Sequence, residues 1–421
     1  MEGVGAWTDT KRPDTWRQKI LYYWARGDLP LTAMMSMMKT ESVDNYKFEW
    51  FAQGPAQQGG VITADLIFTD AACTSKYTHS PVAAAGTTLY AKVTVAMSKE
   101  IKPRHVIQFG CAETDYQVNG IVTSVDRTFD ATYGVVAFTL PVVDVSTYLD
   151  AADYLLIVGT AHPEFDSAPE QIHYDPANYE NGTQRFWDTL ALSEEEMKVI
   201  TRYGEDELKR RKKQVLYLHG QSMERAAWFG IRPTAGYVLD PTNGKKIFLT
   251  DGLFSFLKKN QSSHIFDFKD ESATWADGGE DWLEEVMQTM STYSDMSKSL
   301  WWAGAGALTG VNVIAKTYGN INLTPGASEY GLKVREFTTV HGTAHVKSVP
   351  LFNEHALYSN CMVISNPKNM RFRPMKELDT DWVKEPAPSS HIVEGYRTVG
   401  GFEWGAPKDY AILLNVGVDG A

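Results

Sequence analysis

A chain of 421 residues is long enough for two or three compact units, and 43% hydrophobic with 22% charged residues is ordinary for a fold with a large core. A net charge of −12 argues against a protein that grips nucleic acid by neutralising phosphates, while leaving room for a local basic patch. Three scattered cysteines, Cys73, Cys111 and Cys361, form no CxxC pair and fit a reducing cytoplasm rather than a secreted disulfide framework. The opening MEGVGAWTDTKRPD lacks an apolar signal core, and no stretch approaches the ~20 apolar residues of a membrane span.

Residues 1–50 read as an extended arm with two short helices. Trp16, Ile20, Tyr23 and Trp24 recur at helical spacing before Gly27. Leu31, Met34, Met35 and Met38 repeat the pattern after Asp28, a fitting N-cap, and read as adaptable core filling. Residues 60–160 change character. VITADLIF, TTLYAKVTVAM, HVIQFG, YQVNGIVTSVD, GVVAFTLPVV and DYLLIVG are short, β-rich and separated by turn residues. This density of strands predicts a compact β-barrel or sandwich with little helix.

The strongest helix signal covers 193–219. Ser193 and Glu196 form a capping box. Glu205/Lys209, Asp206/Arg210 and Glu207/Arg211 are acid-to-base pairs one turn apart, in the favourable order. Met197, Ile200, Leu208, Val215 and Leu218 share one face, weakened at Gly204, and Gly220 suits the C-terminal stop. About 26 residues at ~1.5 Å each predict one continuous rod of about 40 Å. The basic run 209–213 therefore reads as a solvated or interface-facing helix surface rather than a DNA grip. Each exposed pair contributes only ~0.3–0.5 kcal/mol, so packing must also hold the helix.

Further on, GIRPTAG reads as a loop and DPTNGKKIFLTDGLFSFLKK as a turn and short helix. EDWLEEVMQTMSTYS is an amphipathic helix with Trp282, Val286, Met287 and Met290 on one face. KSLWWAGAGALTGVNVIAKTYG reads as strand, glycine turn and helix, and residues 333–364 read as strands. ELDTDWVKEPAPSSH reads as an acidic surface loop, and EGYRTVGGFEW with DYAILLNVGV as a closing hairpin. There is no internal repeat.

Chemical motifs are weak. GAGALTG has GxGxxxG spacing, not the dinucleotide fingerprint, and no GxxxxGK[ST] phosphate loop occurs. His341 and His345 in HGTAH lie among β-branched residues, and in a strand that spacing separates the rings by about 13 Å, too far to share a metal. HGQS around Ser222 lacks the second glycine of a nucleophile elbow, and Glu284 and Glu285 diverge on a helix. No catalytic, cofactor-binding or metal residue is assigned.

The order of parts resembles the major capsid proteins of tailed phages with the HK97-like fold. The likeness rests on Phe48–Glu49–Trp50 after the arm, on Asn181, Thr183, Gln184 and Phe186 before the helix, and on the charged helix ending at Leu218–His219–Gly220. NCMVISNPKNMRFRPMK resembles the strand-plus-arginine segment of that fold, and EGYRTVGGFEWGAPKDYAILLNV its last hairpin.

The resemblance implies an α+β capsid fold with an inserted β-rich barrel or sandwich. Its parts would be an N-terminal arm (1–55), an extended loop carrying the insert (56–180), a peripheral domain (181–270 and 356–421) with a spine helix (193–219), and an axial domain (271–355). It also implies a non-enzymatic virion protein that self-assembles through pentamers and hexamers. The icosahedral shell would enclose double-stranded DNA without sequence-specific binding, in the host cytoplasm and without a membrane. Scaffolding and portal proteins are implied partners, with room for a decoration protein. Because the chain starts at Met1, the scaffold is expected to be a separate protein. Trp16, Trp24, Lys209, Arg210 and Arg211 are the expected intersubunit residues. Rival readings are an encapsulin-like compartment, a glycan-binding hydrolase that uses the β insert and abundant Trp, and a tail or neck protein.

Overall fold

A computed structural model describes residues 29–31, 40–54, 58–61, 67–78, 80–111, 114–143, 149, 152, 154–164, 168–169, 171, 173–198, 206–292, 294, 296, 299–318, 324–329, 332–339, 342–376, 381–385 and 391–420. The expected arm helices, with Trp16, Trp24 and the Met34–Met35–Met38 cluster, lie outside these residues, as does His341. Two compact units form: Gly54–Asp175, and the described parts of Met1–Gln53 together with Pro176–Ala421.

Strand β1 (Lys47–Ala52) precedes the smaller unit. That unit contains β2 (Gly59–Val61), β3 (Ile67–Phe68), β4 (Thr88–Thr94), β5 (His105–Cys111), β6 (Thr114–Asp126), β7 (Tyr133–Thr139) and β8 (Tyr154–Thr160). They pair in the order β2-β8-β5-β6-β7-β4-β3, all antiparallel. A short helix, α1 (Val95–Glu100), is capped by the Thr94 hydroxyl. Leu89, Val93, Phe109, Val122 and Phe138 fill the core, and the Phe109 and Phe138 rings meet at 4.6 Å.

The β-rich reading of 60–160 holds, but its closure is corrected. Among the described residues β2 and β3 are opposite, unjoined edges of one open sheet, neither a barrel nor a two-sheet sandwich. Register shifts in β5 and β6 bend the sheet, yet edge strands of three and two residues offer too few ladder bonds to close it.

The larger unit resumes with β9 (Ala177–Gly182), β10 (Gln184–Ser193), α2 (Glu194–Lys198) and α3 (Glu207–Phe229). Then follow β11 (Tyr237–Leu239), β12 (Lys246–Phe248), α4 (Leu253–Asn260), β13 (Ile265–Asp267), α5 (Trp275–Ser291), β14 (Ser299–Ala303) and α6 (Ala305–Tyr318). The chain ends through β15 (Thr324–Glu329), β16 (Leu332–Thr339), β17 (Gly342–Ser348), α7 (Ala356–Ser359), β18 (Met362–Ser365), β19 (Met370–Pro374), β20 (Asp381–Glu385), β21 (His391–Trp404) and β22 (Ala411–Leu414).

A mixed sheet ordered β13-β22-β18-β14-β17-β16-β15 forms its centre. SLWWA in β14 is buried at every position because both faces are covered. Leu300 and Trp302 face one core with Trp228, Phe256 and Phe352, while Trp301 and Ala303 face the other with Trp275, Trp282, Met287 and Ile314. The glycines of GAGALTG serve packing. A Cβ at Gly310 would meet the Gly417 backbone at 2.5 Å, and one at Gly306 would meet the Asn360 side chain. His345 lies in strand β17, as its β-branched neighbours predict.

Three expectations are corrected here. First, 193–219 is not one rod. The Ser193–Glu196 capping box exists and starts the short α2, but Asp206 caps a second helix, accepting from the Leu208 N–H at 3.1 Å. That helix passes through Gly220 and ends at Gly230, giving a spine of about 35 Å at ~1.5 Å per residue. Gly220 is a close-packing position, where a Cβ would meet Leu29 at 2.8 Å, and the stop lies ten residues later, at the cap Gly230. The buried face of α3 is His219, Gly220, Met223, Glu224, Ala227 and Trp228, whereas Leu218 is 46% exposed.

Second, the closing segments do not form a hairpin. β21 pairs with β10, β19 and β20, whereas β22 joins β13 and β18 in the central sheet. Third, part of the expected acidic loop is strand β20, whose residues Trp382 and Val383 pair opposite Tyr396 and Gly395.

Candidate functional site

Asn181 is completely buried near the end of strand β9, and its side-chain amide is fully engaged. Its Oδ1 accepts from the N–H groups of Gly182 and Asp251, both at 2.7 Å. Its Nδ2 donates to the carbonyls of Asp251 at 3.0 Å and Phe402 at 2.7 Å. One side chain thus joins β9, the loop before α4, and β21. Satisfied in this way, a buried amide specifies geometry instead of incurring a desolvation penalty.

The neighbouring resemblance residues reach the same place. Phe48 lies opposite Asn181 in the β1–β9 ladder and packs where a Gly401 Cβ would be. Trp50 donates its indole N–H to the Gly405 carbonyl at 2.8 Å, and Trp404 donates to the Asp251 carbonyl at 3.1 Å. Phe186 meets the His219 ring edge-on. The three stretches far apart in sequence therefore form one knot around β21.

Charge pairs surround it. Asp251 accepts from Lys259 at 2.7 Å and from the Arg232 N–H at 3.1 Å. Glu180 binds Lys47 at 2.5 Å and Arg232 at 2.7 Å, and these hydrogen bonds lower its pKa. Glu41 bridges Arg371 and Arg373, and Arg373 also binds Glu403. Sequence patterning missed Asp251 and Glu41 because their partners lie far away along the chain, while Asp251 before Gly252 reads locally as an ordinary helix start.

His219 stands between Asp188 and Thr398, with Nδ1 2.8 Å from Oδ2 and Nε2 2.8 Å from Oγ1. The order acid–imidazole–hydroxyl is that of a nucleophilic triad, but Thr398 is 0% exposed and out of reach of any substrate. This trio fastens α3 to the sheet of β10 and β21. Burial likewise pushes the Cys361 thiol far above its usual range, away from reactivity. Among the described residues no group of three or more His, Cys, Asp or Glu could hold a metal ion, and no helix is long and apolar enough to cross a membrane.

The basic run behaves locally. Glu207 binds Arg210, and Arg211 at 2.8 Å. The Arg210 hydrogen bond first, then that of Arg211, lowers the Glu207 pKa to about 2. Of the three expected pairs, Glu207/Arg211 forms, Asp206 serves as the cap with Lys209 3.9 Å away, and Glu205 lies outside the described residues. Lys212 binds Glu394 at 2.8 Å and sits over the Trp382 ring. The structure thus places Lys209, Arg210 and Arg211 within the first two turns of α3, outside the Asn181 knot.

The family described as SU10 major capsid protein matches this chain over residues 18–412. A major capsid protein of Pseudomonas phage PaMx41 is 20% identical over 199 residues, 47% of this chain and 46% of that relative, so the match spans about half the length of either protein. Among solved structures, a chain of the satellite phage P4 procapsid is 10% identical with a TM-score of 0.38, covering 62% of this chain and 86% of that one. A chain of an encapsulin complex from Synechococcus elongatus is 9% identical with a TM-score of 0.38, covering 59% and 78%. The family match takes in the β1–β9 ladder, the Asn181 knot, the spine helix and the central sheet, and the chain belongs to the SU10 major capsid protein family.

Proposed function

We propose that many copies of this chain close into the icosahedral shell of a tailed-phage virion around double-stranded DNA, through pentamers and hexamers. The family match over 18–412 carries this reading. The fold agrees with it in mechanical terms. A spine of about 35 Å is bound to a sheet by a buried His219 trio, and the β1–β9 pair that leads to the inserted unit is tied down by Asn181. Such a subunit acts by position and burial rather than by a reaction, and shell closure sums many modest contacts.

In this reading, 181–270 with 356–421 is the peripheral domain, 271–355 the axial domain, 56–180 the loop with its insert, and 1–55 an arm that reaches neighbours through Trp16 and Trp24. Assembly takes place in the host cytoplasm with scaffolding and portal proteins as partners. Lys209, with a side chain 78% exposed, is the most accessible of the expected intersubunit bases, since Arg210 and Arg211 hold Glu207. The described Trp residues of the larger unit mostly serve the core, among them Trp228, Trp301, Trp302 and Trp404, which does not favour a glycan-binding surface built on them.

Electron microscopy of the purified, expressed chain tests the proposal. Closed particles of uniform diameter are expected. A monodisperse monomer that turns over glycans would overturn it, and open rings or tubes would indicate a neck or tail protein.

A further inference from the structure

The β11–β12 hairpin is a small sheet with one covered and one uncovered face. On the covered face Phe248 stacks on Tyr46 at 4.1 Å, and Lys246 lies over the Tyr237 ring at 4.3 Å. On the other face Val238 and Ile247 are a cross-strand pair, 47% and 44% exposed, while Leu239, opposite Lys246 on the first face, is 56% exposed. Exposed aliphatic residues gathered on one hairpin mark a contact surface more often than a solvated one.

Beside the hairpin runs an open groove of about 470 Å³, lined by Tyr46, Arg185, Lys246, Ile247, Phe248 and Val399 among others. Its charged lining, Arg185 and Lys246, is wholly basic and exposed. The hairpin's own carboxylate, Asp240, is turned to its own loop, accepting from the Thr242 N–H at 2.9 Å.

We infer that this groove and the Val238–Ile247 face form a docking site for an acidic, partly apolar surface of a second copy of the chain. Charge complementarity selects the occupant, because the chain as a whole carries −12 while the groove carries only positive groups. A nucleic-acid backbone would satisfy Arg185 and Lys246 but leave the aliphatic pair in water. Two such grooves cannot face each other across a two-fold axis without opposing their like charges. The groove must therefore meet a different, acidic patch of the neighbouring copy rather than its own counterpart. This inference rests on the shell reading and adds to it the surface of one contact.

The test uses the full chain under conditions that give assembled particles. A photoreactive phenylalanine analogue placed at Ile247 should, on illumination, form adducts between copies, and peptide mapping should locate them in an acid-containing segment. Arg185→Glu with Lys246→Glu should lower particle yield at least tenfold, while circular dichroism and the unfolding midpoint stay as in the wild type. Val238→Ser with Ile247→Ser, an exposed pair whose change leaves the cores intact, should do the same. Adducts to nucleic acid or only within one copy, or particle yields within twofold of wild type, would overturn the contact and leave the shell reading standing. A wild-type chain that forms no particle would overturn both.

Discussion

Asn181 shows how one side chain can decide the geometry of a long excursion. Its four hydrogen bonds connect strands that are 221 residues apart in sequence. Asn181→Ala takes a hydrogen-bond partner from two N–H groups and two carbonyls, of which the Asp251 carbonyl keeps the Trp404 indole, and should destabilise the larger unit by about 2–4 kcal/mol in chemical denaturation. Asn181→Asp keeps the shape but points oxygen at the Asp251 and Phe402 carbonyls, so it should cost at least as much. An unchanged midpoint for either variant would remove Asn181 from the knot. The sequence marked Asn181 through resemblance, and likewise Phe48, Trp50 and His219. It did not pair them with Asp251, Phe402 and Gly405, because these become neighbours only when β21 lies beside β9.

At the scale of elements, the spine helix is set by its caps. Gly220→Ala adds a methyl against the movable end of Leu29 and improves helix propensity by up to ~1 kcal/mol, so stability should change by no more than about that amount. Gly230→Ala instead puts a Cβ 2.5 Å from the Ala226 carbonyl and 2.7 Å from that of Thr250, both backbone, and should cost about 2–4 kcal/mol. The opposite ranking would restore Gly220 as the stop.

The helix start is sensitive to pH. The folded Glu207 pKa, about 2, lies below its ordinary 4.5, so its contribution is complete above 4.5 and is lost as pH falls from there toward 2. Hydrogen-exchange protection in the first turns of α3, taken relative to the intrinsic rate at each pH, should fall across that window in the wild type and show no such step in Glu207→Gln. Strand and helix types were largely legible from periodicity, as in β14, α5 and α6. The ends of α3 were not, because a glycine inside a buried helix face and a glycine at a helix end look alike in sequence, and only the tertiary contact of Leu29 separates them.

For the whole molecule, the β-rich segment and the mixed fold around it could be read from strand density and turn residues. Whether the sheet closes, and whether the last two strands pair, depend on long-range ladders that local pattern does not encode. Those ladders place β21 and β22 in different sheets, so the C-terminal segment links the sheet of β10, β21, β19 and β20 to the central one. A cryo-electron reconstruction of particles assembled from this chain tests the proposed shell most directly. The account predicts a closed lattice of five- and six-membered rings in which each subunit keeps the α3 spine and the Asn181 knot. Particles without such rings, or a subunit whose β1–β9 pair has left β21, would contradict it.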